Sequence, residues 1–260
     1  MQQVVSDLNK IMRILLNLVL VLILLFSISN IYLNVFQYKK ADSIYEDIRE
    51  IRESSEDIED NQETERITEV SKSTEDDTYC ELLSINSDYR FWLKVDNTNI
   101  DYPVVQSKDN NYYLNHDFNK NPLGSGSIFM DYRNNFEKDS SVILYGHHMK
   151  NKTMFSELDN FKNESFFYEN SLIRIEHKDT TYIYEVFSIY VADFNNEDYL
   201  KVDFEDEQDK KDYLTYIKER SLYKKDIDFN CNDSIITLYT CSDEFKNART
   251  IVHGKLISKM

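Results

Sequence analysis

Residues Ile14 to Ile31 read ILLNLVLVLILLFSISNI, a run without a single charge. Apolar character continues through Tyr32, Leu33, Val35 and Phe36 before Lys39 and Lys40 end it. A helix rises about 1.5 Å per residue, so roughly 20 such residues cross a hydrocarbon core of about 30 Å. The run therefore predicts a transmembrane anchor over residues 14–36, preceded by a short cytoplasmic tail over residues 1–13. A cleaved signal peptide is the alternative. Its apolar core is shorter, and no A-x-A-like cleavage site follows here. Lys10 and Arg13 flank one end and Lys39 and Lys40 the other, so positive charge alone barely orients the helix. The short tail favours the inside and the large C-terminal body the outside.

Beyond the anchor the chain turns acidic. The formal net charge is −17. Residues 41–78 hold fifteen Asp and Glu against four Lys and Arg. Such a surface repels phosphate backbones, which argues against nucleic acid as a partner. Ile44, Ile48, Ile51 and Ile58 recur there at helical spacing among charges. They predict a helix with a thin apolar stripe, stalk-like or packed on the body. From Ser54 the composition becomes polar and suggests flexibility. Residues 37–78 are thus read as an acidic helical and flexible linker. The stripe spans barely two heptads, which makes a coiled-coil dimer the weaker reading.

From Tyr79 onward, over residues 79–260, short aromatic and β-branched runs alternate with polar clusters. They are Phe91 to Val95, Ser127 to Met130, Ser141 to Tyr145, Leu172 to Ile175, Tyr182 to Val191, Ser234 to Tyr239 and Thr250 to Ile257. That pattern predicts a mainly β body, sandwich or barrel. Two helical interruptions are expected, near Thr153 to Phe161 and over Glu205 to Arg220.

Three cysteines, Cys80, Cys231 and Cys241, leave at least one thiol free. No CxxC pair suggests a zinc site. Cys241 ends the run Ile235 to Thr240, where the chain leaves its strand and can reach a groove. The plain alternative is a buried, inert thiol. His147 and His148 follow another apolar strand, after Gly146, which permits a tight turn. On position alone a solvated surface histidine is the better reading. His116, His177 and His253 read as structural or surface residues. Arg249 lies eight residues past Cys241, so a loop over Ser242 to Ala248 returns it beside that cysteine. A salt bridge to Asp243 or Glu244 is its simpler reading. Together the three supply a thiol, a base to activate it, and a cation for a developing oxyanion.

At these residues the sequence resembles the class B sortases. The string TLYTC, Thr237 to Cys241, is similar to the sortase TLxTC signature, and Arg249 matches its trailing arginine. YGHHM (Tyr145 to Met149), IDYPVVQ (Ile100 to Gln106) and GSIFMDYRN (Gly126 to Asn134) resemble class B motifs in the same order. The resemblance covers about Leu82 to Ile257. It departs in two places: Phe91 stands before Trp92 where many members carry Gly, and the variable signature position is the large Tyr239.

This resemblance implies a closed β-barrel of about eight strands, with flanking helices and a helical insert before the cysteine strand. It implies a cysteine transpeptidase with Cys241, His147 and Arg249 as catalytic residues. It places Asn110, Leu114, Tyr145, Tyr213 and Tyr239 near a sorting-peptide groove. The implied partners are sorting-signal peptides of secreted proteins and a cell-wall peptide amine as acceptor, and no metal or organic cofactor is implied. The expected location is the cell membrane, single-pass, with the catalytic domain extracellular. A membrane-anchored cysteine hydrolase or a non-enzymatic surface domain are the alternatives.

Overall fold

Eight strands among the described residues form β1 (Tyr89–Val95), β2 (Asp101–Val105), β3 (Ile128–Met130), β4 (Ser141–Tyr145), β5 (Leu172–His177), β6 (Thr180–Asp193), β7 (Ile235–Cys241) and β8 (Ala248–Lys259). They close into a barrel in the order β1-β2-β3-β4-β7-β8-β6-β5. The structure, a computed structural model, describes residues 2–60, 74–195, 200–230 and 232–260. Cys231, residues 196–199 and the stretch 61–73, which is much of the linker read as flexible from Ser54, lie outside the described residues.

Seven of the strands coincide with the aromatic and β-branched runs. The eighth, β2, carries Pro103, which lacks a ladder donor and is ordinarily confined to strand edges. Here β2 pairs with β1 along Asp101 to Val105, while β3 joins it only from Val104, one residue past the proline. Closure gives every described strand a partner on both sides, though β2 meets β3 only over Val104 and Val105.

Strands β4 and β7 run parallel, and β8 is antiparallel to β7. The crossover from β6 to β7 carries helix α4 (Glu207–Glu219). Its N-cap is Asp206, whose side chain accepts from the Asp209 N–H. Tyr213, Leu214 and Ile217 press its apolar stripe onto Phe187, Tyr190, Ile235, Tyr239 and Ile251. That cover explains why β6 is buried on both faces from Val186 to Tyr190, where simple alternation fails. The second interruption is a 3-10 helix, Ser156–Lys162, followed by α3 (Glu164–Glu169).

The long helix α1 spans Gln2–Asp60, and α2 spans Thr74–Ile85. The chain divides into two compact units, Met1–Ile44 and Tyr45–Met260. In the first, the side chains from Leu15 to Phe36 that are described stand exposed, and this stretch of helix is long and apolar enough to cross a membrane. In the second, Tyr45 and Ile48 are buried and Arg52 lies over the Trp92 ring at 5.1 Å. Arg52 also pairs with Glu176 at 2.8 Å and Asp101 at 3.3 Å. The helix from Tyr45 is therefore part of the barrel's body, and the compact unit starts ahead of Tyr79. Of the two readings of the apolar stripe, Ile48 fits the one that packs on the body.

His253, on β8, is fully buried between the Thr237 and Tyr190 hydroxyls, at 2.9 and 3.0 Å. Burial pushes its imidazole down from 6.5 to about 3. Between those values the unfolded chain binds a proton that the folded chain does not, so stability falls on acidification from about pH 6.5. The expected loss is about 1.4 kcal/mol per pH unit. Urea unfolding at pH 6.5 and 4.5 checks this. A His253→Gln chain should show a shallower slope over that window, and equal slopes would refute the assignment.

Candidate functional site

The parallel register of β4 and β7 pairs Tyr145 with Tyr239. His147 and Cys241 each lie two residues beyond that pair, at the same end of the barrel. Gly146 N–H continues the ladder by donating to the Tyr239 carbonyl at 3.2 Å. Neighbouring strands run about 4.8 Å apart, so the two exits are adjacent. On the other side of β7, Cys241 pairs directly with Arg249 of β8. Cross-strand partners share a face. The thiol thus stands between the histidine segment and the arginine strand.

These three side chains line one cleft of about 520 Å³, together with Asn110, Leu114, Tyr145 and Tyr239. Cys241 is a free, exposed thiol rather than a buried one. Tyr213 does not join them. It is 4% exposed in the apolar cluster beneath α4, packed in the same cluster as the cleft residues Tyr145 and Tyr239 rather than lining the cleft itself.

The two histidines separate by direction. His147 Nε2 lies 2.7 Å from the Leu114 carbonyl. A carbonyl only accepts, so Nε2 carries the proton and Nδ1 is the open nitrogen of the neutral ring. His148 Nε2 instead meets Asp159 at 2.8 Å, and that carboxylate also holds Lys162 at 2.6 Å. Gly146 is needed for space rather than for a left-handed turn. A Cβ there would sit 2.4 Å from Ile128 and 2.8 Å from Phe155.

Arg249 forms no ion pair with Asp243 or Glu244 among the described residues; Glu244 pairs with Lys162. Its guanidinium lies 4.7 Å over the Phe194 ring and 5.9 Å over that of Tyr239. One nitrogen donates to the Ala248 carbonyl at 2.8 Å. A guanidinium has five N–H donors, so others remain for a ligand in the cleft.

Asp131 anchors the opposite wall. It is fully buried and accepts from Arg133, from the Tyr145 hydroxyl at 2.8 Å and from the Asn110 amide at 3.0 Å. Burial opposes its charge, but the Arg133 fork and these donors outweigh it and hold the carboxyl below its usual range. Burial, with Asp131 alongside, pushes the Tyr145 hydroxyl up, so it stays a donor.

Sequence reasoning missed Phe129, Arg133, Phe194 and Leu200 as cleft residues. Phe129 and Arg133 fall inside the GSIFMDYRN string, which was the available signal. Phe194 follows β6 directly, outside any motif. No group of His, Cys, Asp and Glu among the described residues is placed to hold a metal ion.

A Sortase domain family model matches residues 93–257. Sortase B of Listeria monocytogenes is 38% identical over 184 residues, covering 69% of this chain and 74% of the relative. The X-ray structure of Clostridium perfringens sortase B superimposes with a TM-score of 0.68 at 46% identity, covering 69% of this chain and 99% of that one. A Staphylococcus aureus sortase B–substrate complex gives a TM-score of 0.72 at 32% identity, covering 86% and 99%.

Proposed function

Since this chain belongs to the sortase family, whose sortase B members are cysteine transpeptidases, we propose that it joins secreted proteins to a cell-wall amine through a thioester on Cys241. The observation that carries this reading is the register that sets His147 and Arg249 on either side of the thiol.

The Cys241 proton passes to Nδ1 of His147, and the sulfur attacks a Thr carbonyl carbon in the sorting motif of the substrate. The carbonyl electron pair moves to oxygen, where the Arg249 donors meet the developing charge. The tetrahedral centre collapses and the C–N bond breaks. His147 returns its proton to the departing amine as general acid. A second amine, from a cell-wall peptide precursor, then attacks the thioester. It loses a proton to His147, and Cys241 leaves as the thiol. The Leu114 carbonyl supports these roles, because it occupies Nε2 and leaves Nδ1 for the exchange.

The cleft supports a peptide substrate. Tyr145, Tyr239, Leu114 and Phe129 offer apolar walls, and Asn110 with Arg133 offers polar groups. The apolar part of α1 spans the membrane in this reading and places the barrel outside, beside both secreted proteins and lipid-linked precursors. Residues 1–13 form the cytoplasmic tail.

Incubation with a library of sorting-like peptides tests the proposal. A covalent mass adduct on Cys241 is expected, and an added amine should convert it to ligated product. Adduct that yields only hydrolysed peptide, whatever the amine, would favour a cysteine hydrolase instead.

A further inference from the structure

We propose that Tyr45, on the helix α1, is a positioning residue for the His147 imidazole. The inference rests on the catalytic role given to His147 above.

His147 is held at two points. Its Nε2–H donates to the Leu114 carbonyl at 2.7 Å, and its own carbonyl accepts from the Phe155 N–H at 3.0 Å. Both holding groups lead to Tyr45.

The first route runs through the Leu114 carbonyl. Leu114 ends a single 3-10 turn, Tyr112–Leu114, which is too short to hold its own geometry. The backbone of residues 123–127 clamps it. Leu123 N–H donates to Asn115 O at 2.9 Å, and Ser127 N–H to Tyr113 O at 3.0 Å. Gly126 has a left-handed φ of 58° and lies so close that a Cβ would fall 2.7 Å from Leu114 O and 2.4 Å from Tyr113 O. The Tyr45 hydroxyl pins this clamp from below. It lies 2.8 Å from Gly126 O and 3.0 Å from Ser127 Oγ, while Ser127 Oγ donates to His116 O at 2.9 Å. Tyr45 is 2% exposed, and its burial favours the protonated hydroxyl that donates here.

The second route uses the Tyr45 ring. It meets Tyr102 edge-on at 5.2 Å. The Tyr102 hydroxyl accepts from the Met154 N–H at 3.2 Å. Met154 has a positive φ of 55° and precedes Phe155, whose N–H holds the His147 carbonyl. One buried side chain therefore touches the residues that brace both supports of His147, Gly126 and Ser127 against Leu114 and Tyr102 against Met154 and Phe155.

The test is Tyr45→Phe in the full chain, in detergent micelles, assayed with a sorting peptide and an amine. The ring stays and only the hydroxyl is lost. A mobile Leu114 carbonyl frees the imidazole to turn and exchange tautomers. The expected result is a kcat lower by about ten- to a hundredfold with KM for the peptide little changed. The His147 limb of the pH–rate profile should also move, which loss of stability alone would not cause. Tyr102→Phe, which cuts the second route, should change kcat and profile in the same direction and serves if the first variant does not fold. Wild-type kcat and an unmoved profile in either folded variant, with His147→Ala inactive, overturn the proposal alone. Normal transfer by His147→Ala would overturn the underlying reading as well.

Discussion

Cys241→Ala is expected to form no acyl-enzyme, and His147→Ala to lose transfer by a factor on the order of 10³, while His148→Ala stays within about threefold of the parent chain. The contrast between neighbouring histidines follows from direction. His147 lines the cleft beside the thiol, with Nε2 committed to Leu114. His148 turns to Asp159, in a cluster with Lys162. Removing the His148 ring takes away a partner of a half-exposed carboxylate, which costs stability on the order of 1 kcal/mol and no proton acceptor. Single-turnover mass spectrometry separates these cases. The Cys241→Ala chain shows no adduct at any time. The His147→Ala chain accumulates adduct slowly, because a thiol without its base reaches the thiolate rarely. A dead His148→Ala chain with an active His147→Ala chain would reverse the assignment.

Most of that site was legible in the sequence because it sits where strands end. Cys241 and His147 each close an apolar run, and Arg249 follows a loop of a length that returns it to Cys241. Parallel pairing of the two runs then makes their exits neighbours. The barrel was legible for the same reason, apart from β2, where Pro103 interrupts the pattern of an interior strand. What stayed hidden depends on contacts between distant segments. Tyr45 lies in a run dominated by acidic residues, and nothing in its spacing announces Gly126. The Leu114 carbonyl is a backbone group, which no residue type reveals. Tyr213 came from the resemblance alone, and the helix pattern could not show that it packs in one apolar cluster with Tyr239 beneath α4. The family resemblance supplied the roles of the residues, and the local pattern supplied only their placement at strand edges.

Arg249→Lys keeps the charge and is expected to lose transfer by a factor on the order of 10² to 10³, the cost typical of removing a transition-state donor. The guanidinium lies against the Phe194 ring at 4.7 Å, steadied by the Ala248 carbonyl, and it lines the cleft with Cys241. That arrangement fixes the direction of its remaining N–H groups before the substrate arrives. A lysine ammonium is a compact, strongly hydrated charge on a flexible stem, and it cannot present two parallel donors. The loss should fall on kcat for acylation with KM for the peptide changed less, because the oxyanion exists only in the transition state and the tetrahedral intermediate. Phe194→Leu leaves the guanidinium chemistry intact and removes only its platform, worth about 0.5–1 kcal/mol at an exposed site. It should therefore lower kcat by a few-fold at most. Pre-steady-state acylation rates measure both. An Arg249→Lys chain within about threefold of the parent would show that a diffuse positive charge suffices there. In that case backbone N–H groups, and not the arginine fork, would carry the oxyanion.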